Sequence, residues 1–193
     1  MHRLNIMISR FALTAAMASL PVAMLAQANK PVAATGTATT SAADKKFVHD
    51  AAQGGMAEVE LGKLATEKAL SEDVKKFGQR MVDDHTKADD QLKDIASSKG
   101  IPVPPKLSAK DQMTKDRLSK LSGDPFDKAY MNDMVKDHTQ DVSDFKRESA
   151  SGTDPDVKNF ASTTLPTLQD HLREAKKIAP KMSSASNTMK GSE

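Results

Sequence analysis

The chain has 193 residues, no cysteine, 28 Lys and Arg against 26 Asp and Glu, and only 4% aromatic side chains. Without cysteine there is neither a disulfide framework nor a lipidated cysteine at an export cleavage site. With a surplus of only two basic residues and few rings to stack on bases, the composition argues against nucleic-acid binding.

Residues 1–28 read as a secretory signal peptide. Arg3 and Arg10 form a basic start, residues 11–25 are apolar, and Ala26-Gln27-Ala28 is a small-residue cleavage site. Arg3 and Arg10 leave with this leader and no acid does, so the mature chain carries 26 basic residues against 26 acidic. The apolar stretch is interrupted by Thr14, Ser19 and Pro21, and no later stretch approaches the roughly 20 apolar residues of a membrane span. These features predict an exported, periplasmic protein without a transmembrane segment. Residues 29–43 are Ala, Thr, Pro, Ser and Gly with almost no charge and predict a disordered linker; residues 179–193 predict a disordered tail. A folded unit at 44–178 remains, which suits one domain.

Four long helices are predicted in that unit. The first, over 44–70, gathers Phe47, Ala51, Gly55, Val59, Gly62, Ala65 and Ala69 on one face, with Glu58 inside the stripe and His49 pointing away. Its glycines Gly54, Gly55 and Gly62 cost helix stability and suggest close approach by a neighbour. The second begins at Ser71, which has the character of an N-cap, and carries Val74, Gly78, Met81, His85, Ala88, Leu92 and Ile95 on its seam. Gly100 and Pro102 stop it. The connection over 100–124 contains a short polar helix at 108–121 and is long enough to run the length of a bundle, which would make the second and third helices parallel. The third helix, over 125–150 with Pro125 at its first position, turns Tyr130, Met131, Met134, His138, Asp141, Val142 and Phe145 inward. The fourth opens at Asp154-Pro155, and its seam is Val157, Ala161, Thr164, Leu168, His171, Ala175 and Ile178, with Pro166 predicted to kink it. No segment alternates as a strand does. The fold class is all-α.

One phrase occurs twice. Phe77-x-x-x-Met81-Val82-x-Asp84-His85-Thr86 returns 53 residues later as Tyr130-x-x-x-Met134-Val135-x-Asp137-His138-Thr139, and a third Asp-His pair is Asp170-His171. Counting from the predicted turns at about 1.5 Å per residue, Glu58 and His85 differ in level by roughly 5 Å, as do His138 and His171. All four converge near mid-bundle. Three neutral imidazoles and a carboxylate form a candidate site for a single transition-metal ion: Zn, Fe, Mn or Cu. Asp84, Asp137 and Asp170 flank the inward face as candidate partners that orient imidazoles, Asp141 is a candidate fifth ligand, and Tyr130 can hydrogen-bond the group. Met81 and Met134 are possible soft ligands but more commonly core filler. The competing reading is a metal-free structural or interaction bundle of the cell envelope, with the histidines in a hydrogen-bonded network. A metal-dependent oxidoreductase is a third possibility, although no reaction can be read from the residues.

Glu58-x-x-Leu61-Gly62-x-Leu64-Ala65, Met81-Val82-x-Asp84-His85, Phe126-Asp127-x-x-Tyr130, His138 and Leu165-Pro166-x-Leu168-x-x-His171-Leu172 resemble the bacterial exported "domain of unknown function 4142" family, over about 44–178. The resemblance implies a ferritin-like four-helix bundle with a long crossover and brings no established activity. The chain departs from ferritins at the Glu-x-x-His motif, because Val82, Val135 and Leu168 stand three residues before the inward histidines. A carboxylate-bridged di-iron centre is therefore not expected. A histidine-rich mononuclear site, in metal handling or stress protection, is.

Overall fold

The computed structural model describes residues 39–188, with side chains through residue 180. The predicted signal peptide, most of the predicted linker and residues 189–193 lie outside the described residues. Among the described residues there is no strand, and five helices follow one another: α1 (Ala42–Lys68), α2 (Glu72–Ser98), α3 (Ala109–Ser119), α4 (Gly123–Ser151) and α5 (Pro155–Thr188). No helix among these residues is long and apolar enough to cross a membrane.

The pairs α1–α2 and α4–α5 are hairpins, and α1 also packs on α4 while α2 packs on α5. Contacts at the helix ends set the directions. Asp44, early in α1, accepts the Thr153 amide just beyond α4, while Asp127, early in α4, accepts the Leu70 and Ser71 amides just beyond α1. Lys99, just beyond α2, pairs with Asp154, just before α5. Helices α2 and α4 thus run the same way on opposite corners, as a connection spanning the bundle requires. The expected all-α four-helix bundle with its short crossover helix is present.

The crossover starts from a Schellman turn. Gly100 (φ 63°) ends α2, its amide donates to Ser97 and the Ile101 amide donates to Ala96, while the Ile101 side chain is buried. Downstream, α3 is fastened by the buried Leu118 and by Lys115–Glu60 and Arg117–Asp133 ion pairs. The α1–α2 contact is closest at two glycines. A Cβ built on Gly62 would stand 2.6 Å from the Gly78 carbonyl, and one on Gly78 would stand 2.6 Å from Ala65 Cβ. The expected close approach holds at Gly62, and at Gly55 against Asp89, but nothing lies within 4 Å of a Cβ on Gly54.

Several element ends differ from the predicted ones. Helix α1 starts at Ala42, inside the expected linker, because Ser41 and Asp44 form a reciprocal capping box. Ser71 holds the N-cap position of α2 without a side-chain cap bond; the buried Asp127 of α4 serves instead, taking the Leu70 amide at 3.1 Å and the Ser71 amide at 2.8 Å. Helix α4 begins at Gly123, so Pro125 falls within its first turn, where no intrahelical donor is needed. Helix α5 continues through Pro180 to Thr188, past the expected boundary at 178, since extending a formed helix requires no new nucleus. Pro166 does not interrupt α5; it sits on the exposed face, as does Ser162, whose carbonyl it deprives of a donor. Alanine at Asp127 should lower stability by about 2 kcal/mol, the cost of two abandoned amides partly recovered by water. Urea melts of the variant beside the parent measure it.

The far end of the bundle holds a second buried carboxyl group. Burial raises the Asp44 carboxyl, but hydrogen bonds from Thr153 and Ser41 outweigh this and hold it well below the usual range. Burial and the neighbouring Asp44 push Glu148 up to about 7. The folded chain thus keeps a proton on Glu148 between its ordinary 4.5 and about 7, where the unfolded chain has released it. That contribution to stability is complete below the lower value and is lost as pH rises through the upper one. Glu148→Gln should therefore match the parent's melting temperature at pH about 4 and exceed it at pH about 8, outside the two limits of that linkage. Equal melting-temperature differences at both pH values would contradict the assignment.

Candidate functional site

The buried apolar side chains form two clusters. One contains Leu61, Val74, Met81, Met134 and Ala175, and the other Val48, Leu92, Phe145, Val157 and Leu168. Each long helix passes from one cluster to the other through its polar residue: Glu58 on α1, His85 on α2, His138 on α4 and His171 on α5. All four are buried, with His138 and His171 at 0% exposure. The spacing of heptad-like seams places them there. Because hairpin partners run oppositely, a residue midway along each helix lands at one level.

These groups meet directly. His138 Nε2 lies 3.2 Å from His171 Nδ1, and His171 Nε2 lies 2.9 Å from Asp84 Oδ2. Glu58 places Oε2 2.8 Å from His85 Nε2 and Oε1 3.2 Å from His138 Nδ1. Ring centroids of the three histidines are 5.2–5.8 Å apart. One ligand atom from each of His85, His138 and His171 falls within 4.8 Å of the others, and the same holds for Glu58, His138 and Asp141. Although close, Glu58 Oε1 and His85 Nε2 are buried without an aligned hydrogen bond.

Burial raises the Glu58 carboxyl, but His138 and His85 beside it prevail and bring it down to about 2. Burial lowers His85, yet Glu58 prevails and raises it. Burial also lowers His138, and it takes His171 down to about 4 against the pull of Asp84. Without an ion, Glu58 is thus favoured as the carboxylate and His85 is shifted toward its charged form, while burial favours the neutral forms of His138 and His171.

The flanking residues divide. Asp84 does orient an imidazole, but that of His171 across the helix interface, not that of its neighbour His85. It is anchored by Arg80, which also reaches Glu174. Asp170 is turned to the surface and pairs with Arg173, so it plays no part at the centre. Asp137 lines a groove beside Glu58 and Asp141, and burial pushes it up to about 6. Burial, then Glu58, pushes the Asp141 carboxyl well above its ordinary value. The Tyr130 hydroxyl is buried without a partner, and its ring stacks on Phe126 at 5.7 Å, so it packs and does not join the network. Met81 and Met134 lie in the apolar cluster, and His49 is exposed, as expected.

Three residues escaped the sequence reading. Arg80 and Asp89 stand four residues either side of Asp84 and His85, a helical spacing that signals contact. Asp89 presses on Gly55, and with Glu58 and His85 it lines a void of about 20 Å³, room for about one water-sized group. Phe77 covers the other side, its ring 6.3 Å from His138 and 6.5 Å from His171. Only its place in the repeated phrase hinted at this.

A family model described as Domain of unknown function (DUF4142) matches residues 29–178. Among solved structures, the chain is similar to a DUF305 fragment from Deinococcus radiodurans, with a TM-score of 0.65 and 14% identity over 74% of this chain and 98% of that one. It is also similar to a DUF305 protein from Streptomyces coelicolor, with a TM-score of 0.64 and 16% identity over 76% of this chain and 94% of that one. At these identities the likeness is one of fold alone. No curated protein matches the chain.

Proposed function

We propose, for a chain that belongs to the DUF4142 family, that the buried centre binds one transition-metal ion through Glu58, His85, His138 and His171. Imidazole and carboxylate ligands suit Zn, Fe, Mn or Cu. The observation that supports the reading most is the convergence itself: one nitrogen from each of His85, His138 and His171 lies within 4.8 Å of the others, and Glu58 reaches His85 Nε2 at 2.8 Å and His138 Nδ1 at 3.2 Å. A buried polar group without an aligned partner costs about 1–3 kcal/mol, and a shared cation would satisfy the imidazole nitrogens and the carboxylate together. Asp84 would act as the outer partner of His171, fixing its ring and raising its basicity. The bound ion can supply Lewis acidity or redox chemistry. The protein would work outside the cytoplasm, as its signal-like start implies, in envelope metal handling or stress protection.

One observation favours the metal-free alternative. Contacts of 3.2 Å or less run from the Met134 carbonyl through His138 and His171 to Asp84, and two neutral rings supply the protons for two of these three links. A structural network of the cell envelope would need that much and no ion. Elemental mass spectrometry on untagged protein from the periplasm decides between them, beside the His85/His138/His171 triple alanine variant. Near-stoichiometric metal lost in the variant supports the site. No metal as isolated, and none taken up from divalent ions or Cu(I), would leave the structural bundle.

A further inference from the structure

We infer that the centre holds a second cation position, formed by Glu58, His138 and Asp141 between α1 and α4, which takes a hard divalent ion of the Mn²⁺ class. The inference rests on the metal reading above and extends it from one ion to two. Ligand-capable atoms of these three residues lie within 4.8 Å of one another, a set that shares Glu58 and His138 with the first site and adds Asp141. The shared groups face both ways. His138 turns Nε2 toward His171 and Nδ1 toward Glu58, each at 3.2 Å. Glu58 turns Oε2 toward His85 and Oε1 toward His138, so its two buried oxygens face different imidazoles.

Glu58 and Asp141 of the second set also border a groove, while His138 behind them is fully buried. A groove of about 170 Å³ under α3 is lined by Glu58, Asp133, Asp137 and Asp141, with Lys110 and Lys136 also along it. Carboxylate oxygens beside a groove are the environment of hard cations that keep some of their water, whereas the imidazole-rich set favours softer ions. A second ion on His138 Nδ1 would replace the contact with the Met134 carbonyl at 3.0 Å and, with Nε2 on the first ion, would require the ring as a bridging imidazolate, its proton released to solvent.

The test starts from purified full-length folded protein dialysed against Zn²⁺ until uptake stops. It is then titrated with Mn²⁺, and bound Mn²⁺ is read by electron paramagnetic resonance beside elemental analysis. The expected result is one further ion on the zinc-loaded chain, with Asp141→Asn weakening that step at least tenfold while the first zinc remains. Two zinc ions in the parent, falling to one in the variant, carry the same meaning. A parent saturating at a single ion overturns the inference and leaves the mononuclear site standing. So does a variant that binds Mn²⁺ unchanged, or one that loses the first zinc as well, which would make Asp141 a ligand of a single site. A parent that takes up neither ion removes the metal reading and this inference with it. Thermal melts of the variant confirm that the fold is retained.

Discussion

Replacing His138 with alanine is expected to weaken metal binding by at least about 100-fold while leaving a folded helical chain. Losing a partner of a ligand already costs about 10–100-fold in affinity, so losing a ligand itself belongs at or beyond that limit. His138 is the residue to choose because it touches both neighbours, Glu58 on one side and His171 on the other. The same substitution separates the two readings. In the metal-free bundle it opens a cavity and strands Glu58 Oε1 and His171 Nδ1, for a loss of about 2–4 kcal/mol and no metal effect in either protein. In the metal-binding bundle the parent's melting temperature rises on adding the ion and the variant's does not. Isothermal titration with Zn²⁺ and thermal melts with and without it read both quantities. A variant that binds the ion as the parent does would exclude His138 as a ligand.

The second large effect lies one turn along α1 from Glu58. Gly62→Ala should destabilise the fold by about 1–3 kcal/mol, the usual cost of overpacking, despite the gain that alanine brings to an isolated helix. The added methyl would meet the Gly78 carbonyl at 2.6 Å, Val82 Cγ2 at 3.0 Å and Met81 Cβ at 3.2 Å. The first is backbone and cannot rotate away, so α1 and α2 must separate. That movement also parts Glu58 from His85, and metal affinity should fall with stability. Gly54→Ala is the control with the opposite sign. With nothing within 4 Å of its Cβ, alanine there should stabilise by about 0.5–1 kcal/mol through helix propensity alone. Urea melts of both variants check the pair. Equal signs would mean that propensity, not contact, governs these positions.

Much of this was legible without coordinates because helical seams are periodic. The residues that face inward on α1, α2, α4 and α5 follow from spacing, and with them the four polar groups of the centre. The partners of those groups were harder. Asp84 stands beside His85 in the chain, yet it bonds His171, 87 positions away, because adjacent residues on a helix point about 100° apart. Asp170 also adjoins a core histidine and faces solvent for the same reason. Ser71 has the residue type of a cap, but a carboxylate from another helix reaches those amides first, and only packing brings Asp127 there.

The sequence by itself determined that this is an all-α bundle with one carboxylate and three imidazoles at a common level, since periodicity and hairpin length are local, additive properties. Tertiary structure decided the rest: which imidazole Asp84 holds, that Glu58 reaches both His85 and His138, and that Asp141 opens onto a groove. Each depends on the rotation and separation of helices from distant parts of the chain, set by contacts such as Gly62 on Gly78. A difference of one ångström there decides whether two buried polar atoms bond or stay apart.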